Sequence, residues 1–158
     1  MHNFIFIDKR SYRNSVENIS SIASNNYKKV CYISFNDTRH VIIEMLNSIK
    51  VDVNKFIVVD ASGQVKKQEI SNITYIVNTP DLFNIYLLIR NLIKVEEINA
   101  VLIDSISALI YKHDQLPLKE MLTNLLLEIG AFRCDSLVLA FKEHEDHEVL
   151  RHLSPFIG

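Results

Sequence analysis

The chain has 158 residues, 48% of them hydrophobic and 23% charged, with a formal net charge of −2. That length suits one domain with a sizeable core, and that balance excludes intrinsic disorder. Near-neutral charge leaves no basic excess to hold nucleic acid or an anionic membrane, so neither is expected as a partner.

The opening run Phe4–Ile7 is too short, and lacks the basic lead, for a signal peptide. It reads as a first strand ending at Asp8. From Ser11 to Asn25, Val16, Ile19, Ile22 and Ala23 recur at helical spacing. Lys29–Ser34 is a second strand, Phe35–Thr38 its exit loop, and a helix follows to Ile49 with Val41, Ile42, Met45, Leu46 and Ile49 on one face. The pair Cys31 and Cys134 is too few for a disulfide framework. Cys31 sits inside the second strand and is expected to be a buried free thiol in a reducing cytoplasm.

Phe56–Val59 is a third strand ending at Asp60, followed by a polar, exposed loop from Ala61 to Ser71. Ile73–Val77 reads as a fourth strand. Thr79 and Pro80 read as the N-cap and first residue of a helix carrying Leu82, Ile85, Tyr86, Ile89, Leu92 and Ile93. Its longest apolar run, Ile85–Ile89, is interrupted by Arg90 and Asn91, far short of the ~18 residues of a membrane span. Ala100–Ile103 is continuously apolar, as expected of a central strand covered on both faces, and Asp104 closes it. Ser105–Tyr111 forms a short helix. A longer one carries Met121, Leu122, Leu125, Leu126 and Ile129, with Gly130 placed for a left-handed cap. Ser136–Phe141 is a sixth strand, and Lys142–His152 a charged, histidine-rich, solvated segment. This alternation predicts an α/β fold: a mostly parallel sheet with helices on both faces, and no linker that divides the chain.

Three stretches resemble the RecA/KaiC-like ATPase family. Val101–Leu109 is similar to the Walker B strand and the small hydroxyl residues after it. Val30–Asp37 is similar to the strand ending in the paired acidic residues of KaiC-like proteins, and Asn78–Leu82 resembles a branch without a P-loop. The resemblance implies a single RecA-like domain over residues 1–158, shortened by the strand that usually follows, with an uncovered edge where a partner could pair.

The departures carry as much as the likeness. Where a Walker A loop should follow the first strand, Ile7–Ser15 contains no glycine, although such a loop must wrap its backbone N–H groups closely round phosphates. Lys9 and Arg10 cannot replace that cradle. The acidic pair becomes Asn36–Asp37, and an amide cannot act as a general base. The implied protein is a pseudo-ATPase, not an enzyme and with no cofactor: a regulatory, scaffolding or interaction module, a homo-oligomer or a complex with another RecA-like protein. The alternatives are a sensory domain holding a small molecule at the carboxyl edge of the sheet, and a metal-dependent enzyme.

Asn36, Asp37, Asp104 and Ser105 are the candidate ligand-binding residues. Each also has a plainer reading: Asp104 as a cap of the following helix, Asn36 and Asp37 as the cap region of theirs. His144, His147 and His152 with Glu145, Asp146 and Glu148 form the densest group able to hold a metal, but lack the second ligand pair of a zinc motif. No histidine has a spacing that ties it to Ser34, Ser105 or Ser107. Tyr12, Tyr27, Tyr86 and Tyr111 could form a contact surface.

Overall fold

The computed structural model describes residues 1–64 and 81–157. In chain order these form β1 (His2–Ile7), α1 (Tyr12–Asn26), β2 (Val30–Ser34), α2 (Arg39–Ser48), β3 (Phe56–Asp60), α3 (Leu82–Val95), β4 (Ala100–Asp104), α4 (Ile106–Lys112), α5 (Gln115–Ala131), β5 (Asp135–Phe141) and α6 (Glu148–His152). The strand expected at Ile73–Val77, the end of the loop before it, and the cap expected at Thr79 lie outside the described residues. The cap observed for α3 is Asp81, whose carboxylate accepts the Phe83 N–H at 2.9 Å.

The five strands pair in parallel in the order β1-β5-β4-β2-β3. A strand's side chains alternate between faces, so residues two apart share one layer. Ala100 and Leu102, with Val30, Tyr32, Val58, Leu137 and Leu139, pack against Val16, Ile19, Ala23, Ile42 and Leu46 of α1 and α2. Val101 and Ile103, with Cys31, Ile33, Val138 and Ala140, pack against α3, α4, α5 and α6. Two apolar layers explain why the central strands read as continuous apolar runs. Cys31 is fully buried, and burial pushes its thiol up to about 12.

The chain crosses to β2 and β3 by way of α1 and α2, and returns to β4 and β5 by way of α3, α4 and α5 on the other face. The neighbours β2 and β4 therefore send their exit loops to opposite faces. Such a divergence opens a crevice at the carboxyl ends of an α/β sheet, the usual place for a ligand.

Two expectations need correction here. Gly130 is not the left-handed cap, because α5 continues to Ala131 and Arg133 takes that conformation at φ 57°. Arg133 N–H bonds the Gly130 carbonyl at 3.0 Å and Cys134 N–H bonds the Ile129 carbonyl at 3.1 Å, a Schellman pattern. The extra half-turn carries Cys134 into the core, where it is 2% exposed. Because a side chain at positive φ is strained and Arg133 is exposed, Arg133→Gly should raise the unfolding free energy by roughly 0.5–1 kcal/mol. Chemical denaturation of the two proteins checks this.

The histidine-rich segment is not merely solvated either. α6 buries Val149 and Leu150, and Leu153 beyond it is 0% exposed. The apolar residues 149, 150 and 153 recur at helical spacing among charges, enough to anchor a short helix on α5.

Candidate functional site

Register places Asp104, Ser34 and Asp60 in one row at the carboxyl edge, with Ser34 between the two acids. All three are 0% exposed. Asp104 has the parity of Ala100 and Leu102, so its carboxylate points to the layer that holds α1. Tyr32 lies on β2 beside Leu102, on the same face and two residues back. Tyr12 is the first residue of α1, which the short connection after β1 brings over the same spot.

Both phenols are used on Asp104. Tyr12 Oη and Tyr32 Oη each donate to Asp104 Oδ2 at 2.6 Å, and Asn36 Nδ2 donates to Oδ1 at 3.3 Å. Asn36 Nδ2 also lies 3.4 Å from both Ser105 Oγ and Tyr12 Oη. Burial raises the Asp104 carboxyl above its ordinary value; the tyrosine hydrogen bonds oppose the rise and the nearby charge of Asp37 adds to it. Burial first, then the Asp104 charge, raises both phenols, so Tyr12 and Tyr32 remain protonated donors.

Of the four expected site residues the fold thus assembles Asn36, Asp104 and Ser105. Asp104 is not a helix cap, as its carboxylate is taken up by tyrosines. The cap of α4 is Ser105, whose Oγ accepts the Ala108 N–H at 3.3 Å. Asn36 is likewise no cap. Asp37 is held apart, its backbone looped onto Ser34 Oγ (N–H 3.0 Å, carbonyl 2.6 Å) and its carboxylate 3.6 Å from Arg13 Nη2. The first N–H of α2, on Arg39, is met by Asp60 Oδ2 at 2.9 Å. Asp60 Oδ1 accepts from Ser62 N–H at 3.0 Å and Ser62 Oγ at 2.6 Å, which buries Ser62 in a loop expected to be exposed.

Tyr12, Tyr32 and Asp60 were not among the expected site residues. The available signals were a lone tyrosine inside an apolar strand and an aspartate at the end of another. The tyrosines do not form one contact surface: Tyr12 serves Asp104, Tyr27 bonds Asp135 at 2.8 Å, Tyr86 bonds Glu128 at 3.1 Å and Tyr111 bonds Glu143 at 2.9 Å.

One histidine does meet a serine, contrary to the spacing argument. His144 Nδ1 lies 2.8 Å from Ser107 Oγ, which also accepts the Phe141 N–H at 2.8 Å. Ser107 is 0% exposed, and the pair clamps α4 to the exit of β5. His147 Nδ1 accepts the Val149 N–H at 3.1 Å. That bond leaves the neutral ring's proton on Nε2, where a metal would need a lone pair. Among the described residues no group of three His, Cys, Asp or Glu side chains could hold a metal ion.

A groove of about 550 Å³ lies away from this site, between the start of α3 and the α4–α5 corner, with Leu82, Phe83, Tyr86, Lys112 and Met121 in its wall. Asn36, Asp37, Asp104 and Ser105 do not line it.

Comparison of the sequence with protein-family models and with curated proteins gives no match. Among solved structures, a KaiC-like protein of the hyperthermophilic archaeon Pyrococcus horikoshii superposes with a TM-score of 0.66 at 11% identity. The chain has a KaiC-like RecA fold. The overlap covers 89% of this chain and 62% of the archaeal protein, so the RecA-like domain described here spans less than two thirds of that neighbour.

The residues present do not fit the magnesium triphosphate that a RecA fold implies. Between Ile7 and Tyr12 the connection is only residues 8–11, a 3₁₀ turn capped by Asp8, whose Oδ1 accepts the Arg10 N–H at 2.9 Å. A phosphate cradle needs a longer, glycine-bearing loop. Tyr12 stands over the Asp104 carboxylate and donates to it. Among the described residues no helix is long and apolar enough to cross a membrane.

Proposed function

We propose that this KaiC-like RecA-fold domain is non-catalytic and acts by binding, as a regulatory or scaffolding module that pairs with itself or with another RecA-like chain. The observation that carries this reading is the closed state of Asp104. Its Oδ2 accepts two phenol hydrogen bonds at 2.6 Å, which use both lone pairs of that oxygen, and the whole side chain is 0% exposed. The 3₁₀ turn at Lys9–Ser11 and the amide of Asn36 point the same way.

Melting with and without Mg²⁺–ATP tests it. A ligand at ~100 times its dissociation constant adds about 2.7 kcal/mol of stability. For a chain of this size that is a shift of roughly 5–11 °C. The expected shift is under about 1 °C. A full shift, or hydrolysis of ATP by the purified chain, would sink the proposal and return Asp104 to metal binding. The sensory alternative asks for a cavity beside Asp37 and Asp104, and the groove of about 550 Å³ is lined by other residues.

A further inference from the structure

Among the described residues β1 ends the sheet, paired with β5 alone. The phase of that pairing follows from one bond: Ser136 N–H donates to the Met1 carbonyl at 2.9 Å, with His2 opposite Ser136 in register. In a parallel ladder both backbone groups of a residue point to the same side, and the side alternates along the strand. Met1, Asn3, Ile5 and Ile7 therefore turn their backbone groups to β5. His2, Phe4 and Phe6 turn theirs outward, and among the described residues no hydrogen bond to them from outside β1 is present.

Natural edge strands are blunted by lysine, proline, bulges or a covering element. The run His2-Asn3-Phe4-Ile5-Phe6-Ile7 has no charged residue, proline or glycine, and five of its six residues are half-buried. At the other end of the described strands, β3 is flanked by Lys55 and closed by Asp60.

We infer that β1 pairs antiparallel with β1 of a second copy of this chain, across a two-fold axis through Phe4. This deepens the binding-module reading above and rests on it. The complementarity is electrostatic and self-consistent. With the axis on Phe4, the outward groups at 2, 4 and 6 face those at 6, 4 and 2 of the partner, so each N–H meets a C=O and three closely bonded pairs form. A two-fold perpendicular to the sheet also keeps each layer continuous. Phe4 then lies beside the other Phe4, and His2 beside Phe6, on the layer that holds α5. Ile5 lies beside Asn3 on the layer that holds α1. The strand carries no charge of its own to repel its copy.

Mass by light scattering across roughly 1–200 μM should show a dimer that dissociates on dilution. Phe4→Pro removes an outward N–H while leaving every bond to β5 in place, so it should stay folded and weaken the dimer at least tenfold. Phe4→Cys tests the register even if the proline variant does not fold. Directly opposed residues of a bonded pair have Cα atoms about 5.5 Å apart, within disulfide reach. Two copies of Ile5 would be diagonal neighbours at about 7–8 Å, outside it. With oxidised glutathione, Phe4→Cys should crosslink into dimers and Ile5→Cys should not; the native cysteines are both buried. A monomer at every concentration, a dimer untouched by a folded Phe4→Pro, or crosslinking through Ile5→Cys instead would each overturn the inference. None of these readouts involves nucleotide, so a failure here is separable from a positive Mg²⁺–ATP shift.

Discussion

Asp104→Ala is expected to lower the unfolding free energy by roughly 1–4 kcal/mol, because the buried Tyr32 hydroxyl left without an acceptor costs about 1–3 kcal/mol and the half-buried Tyr12 hydroxyl costs less. The variant strands both Tyr12 Oη and Tyr32 Oη and releases Asn36 from the carboxylate. Relief of the buried charge offsets part of the loss but cannot supply acceptors for the phenols. Asp104→Asn is the informative control. Its carbonyl oxygen can take the place of Oδ2 for both tyrosines, and Asn36 can turn its own amide to match, so the cost at neutral pH should be about 1 kcal/mol. The two proteins should also differ in pH dependence. Because the Asp104 carboxyl is raised in the folded state, the folded chain holds its proton more tightly than the unfolded one. That contribution is fully present below the unfolded value of 3.8 and is lost as pH rises through the raised one. Wild type should therefore lose stability relative to Asp104→Asn as pH climbs from about 4. Denaturant titrations of both proteins at a series of pH values read this directly. Parallel curves would show that Asp104 ionises in the fold as it does in the unfolded chain.

Asp60→Ala should cost roughly 2–4 kcal/mol by the same logic applied to a different joint. Asp60 is 0% exposed and accepts from Arg39 N–H, Ser62 N–H and Ser62 Oγ. Its loss uncaps α2 at a distance, since Thr38 makes no side-chain bond to its own helix. It also frees the turn at Ser62 and Gly63. Lys112 Nζ bonds the Phe35 carbonyl at 3.1 Å beside that turn, so the loosening should spread to the exit of β2. Hydrogen exchange would show the Arg39 amide losing protection well before the core of β2. Asp60→Asn keeps one oxygen for Ser62 and turns an N–H₂ against Arg39, so it should lose little more than the cap, about 0.5–2 kcal/mol.

The carboxyl-edge site was half legible before folding. Asp104, Ser105 and Asn36 stand at strand ends, and strand ends announce themselves by a break in an apolar run. Tyr32 was hidden because a tyrosine in mid-strand reads as core, and only register shows that its hydroxyl reaches two residues further along the neighbouring strand. Tyr12 was hidden because a helix's first residue carries no sign of which distant carboxylate it will meet. Asp37, written next to Asn36, turned to Arg13 instead, because Ser34 Oγ folds its backbone back into a tight loop. The Ser107–His144 contact spans 37 positions, and no local pattern encodes it.

The order of residues alone was enough for the alternation of strands and helices, the double-sided burial of the central strands, and the missing glycines of a phosphate loop. These are local properties: periodicity, propensity and the backbone freedom of single residue types. Strand order, the half of the sheet that each helix covers, the plugging of Asp104 by two tyrosines and the outward phase of β1 were decided only by tertiary structure. They depend on which distant strands become neighbours and in what register, and a one-residue slip would turn every one of those side chains to the opposite face.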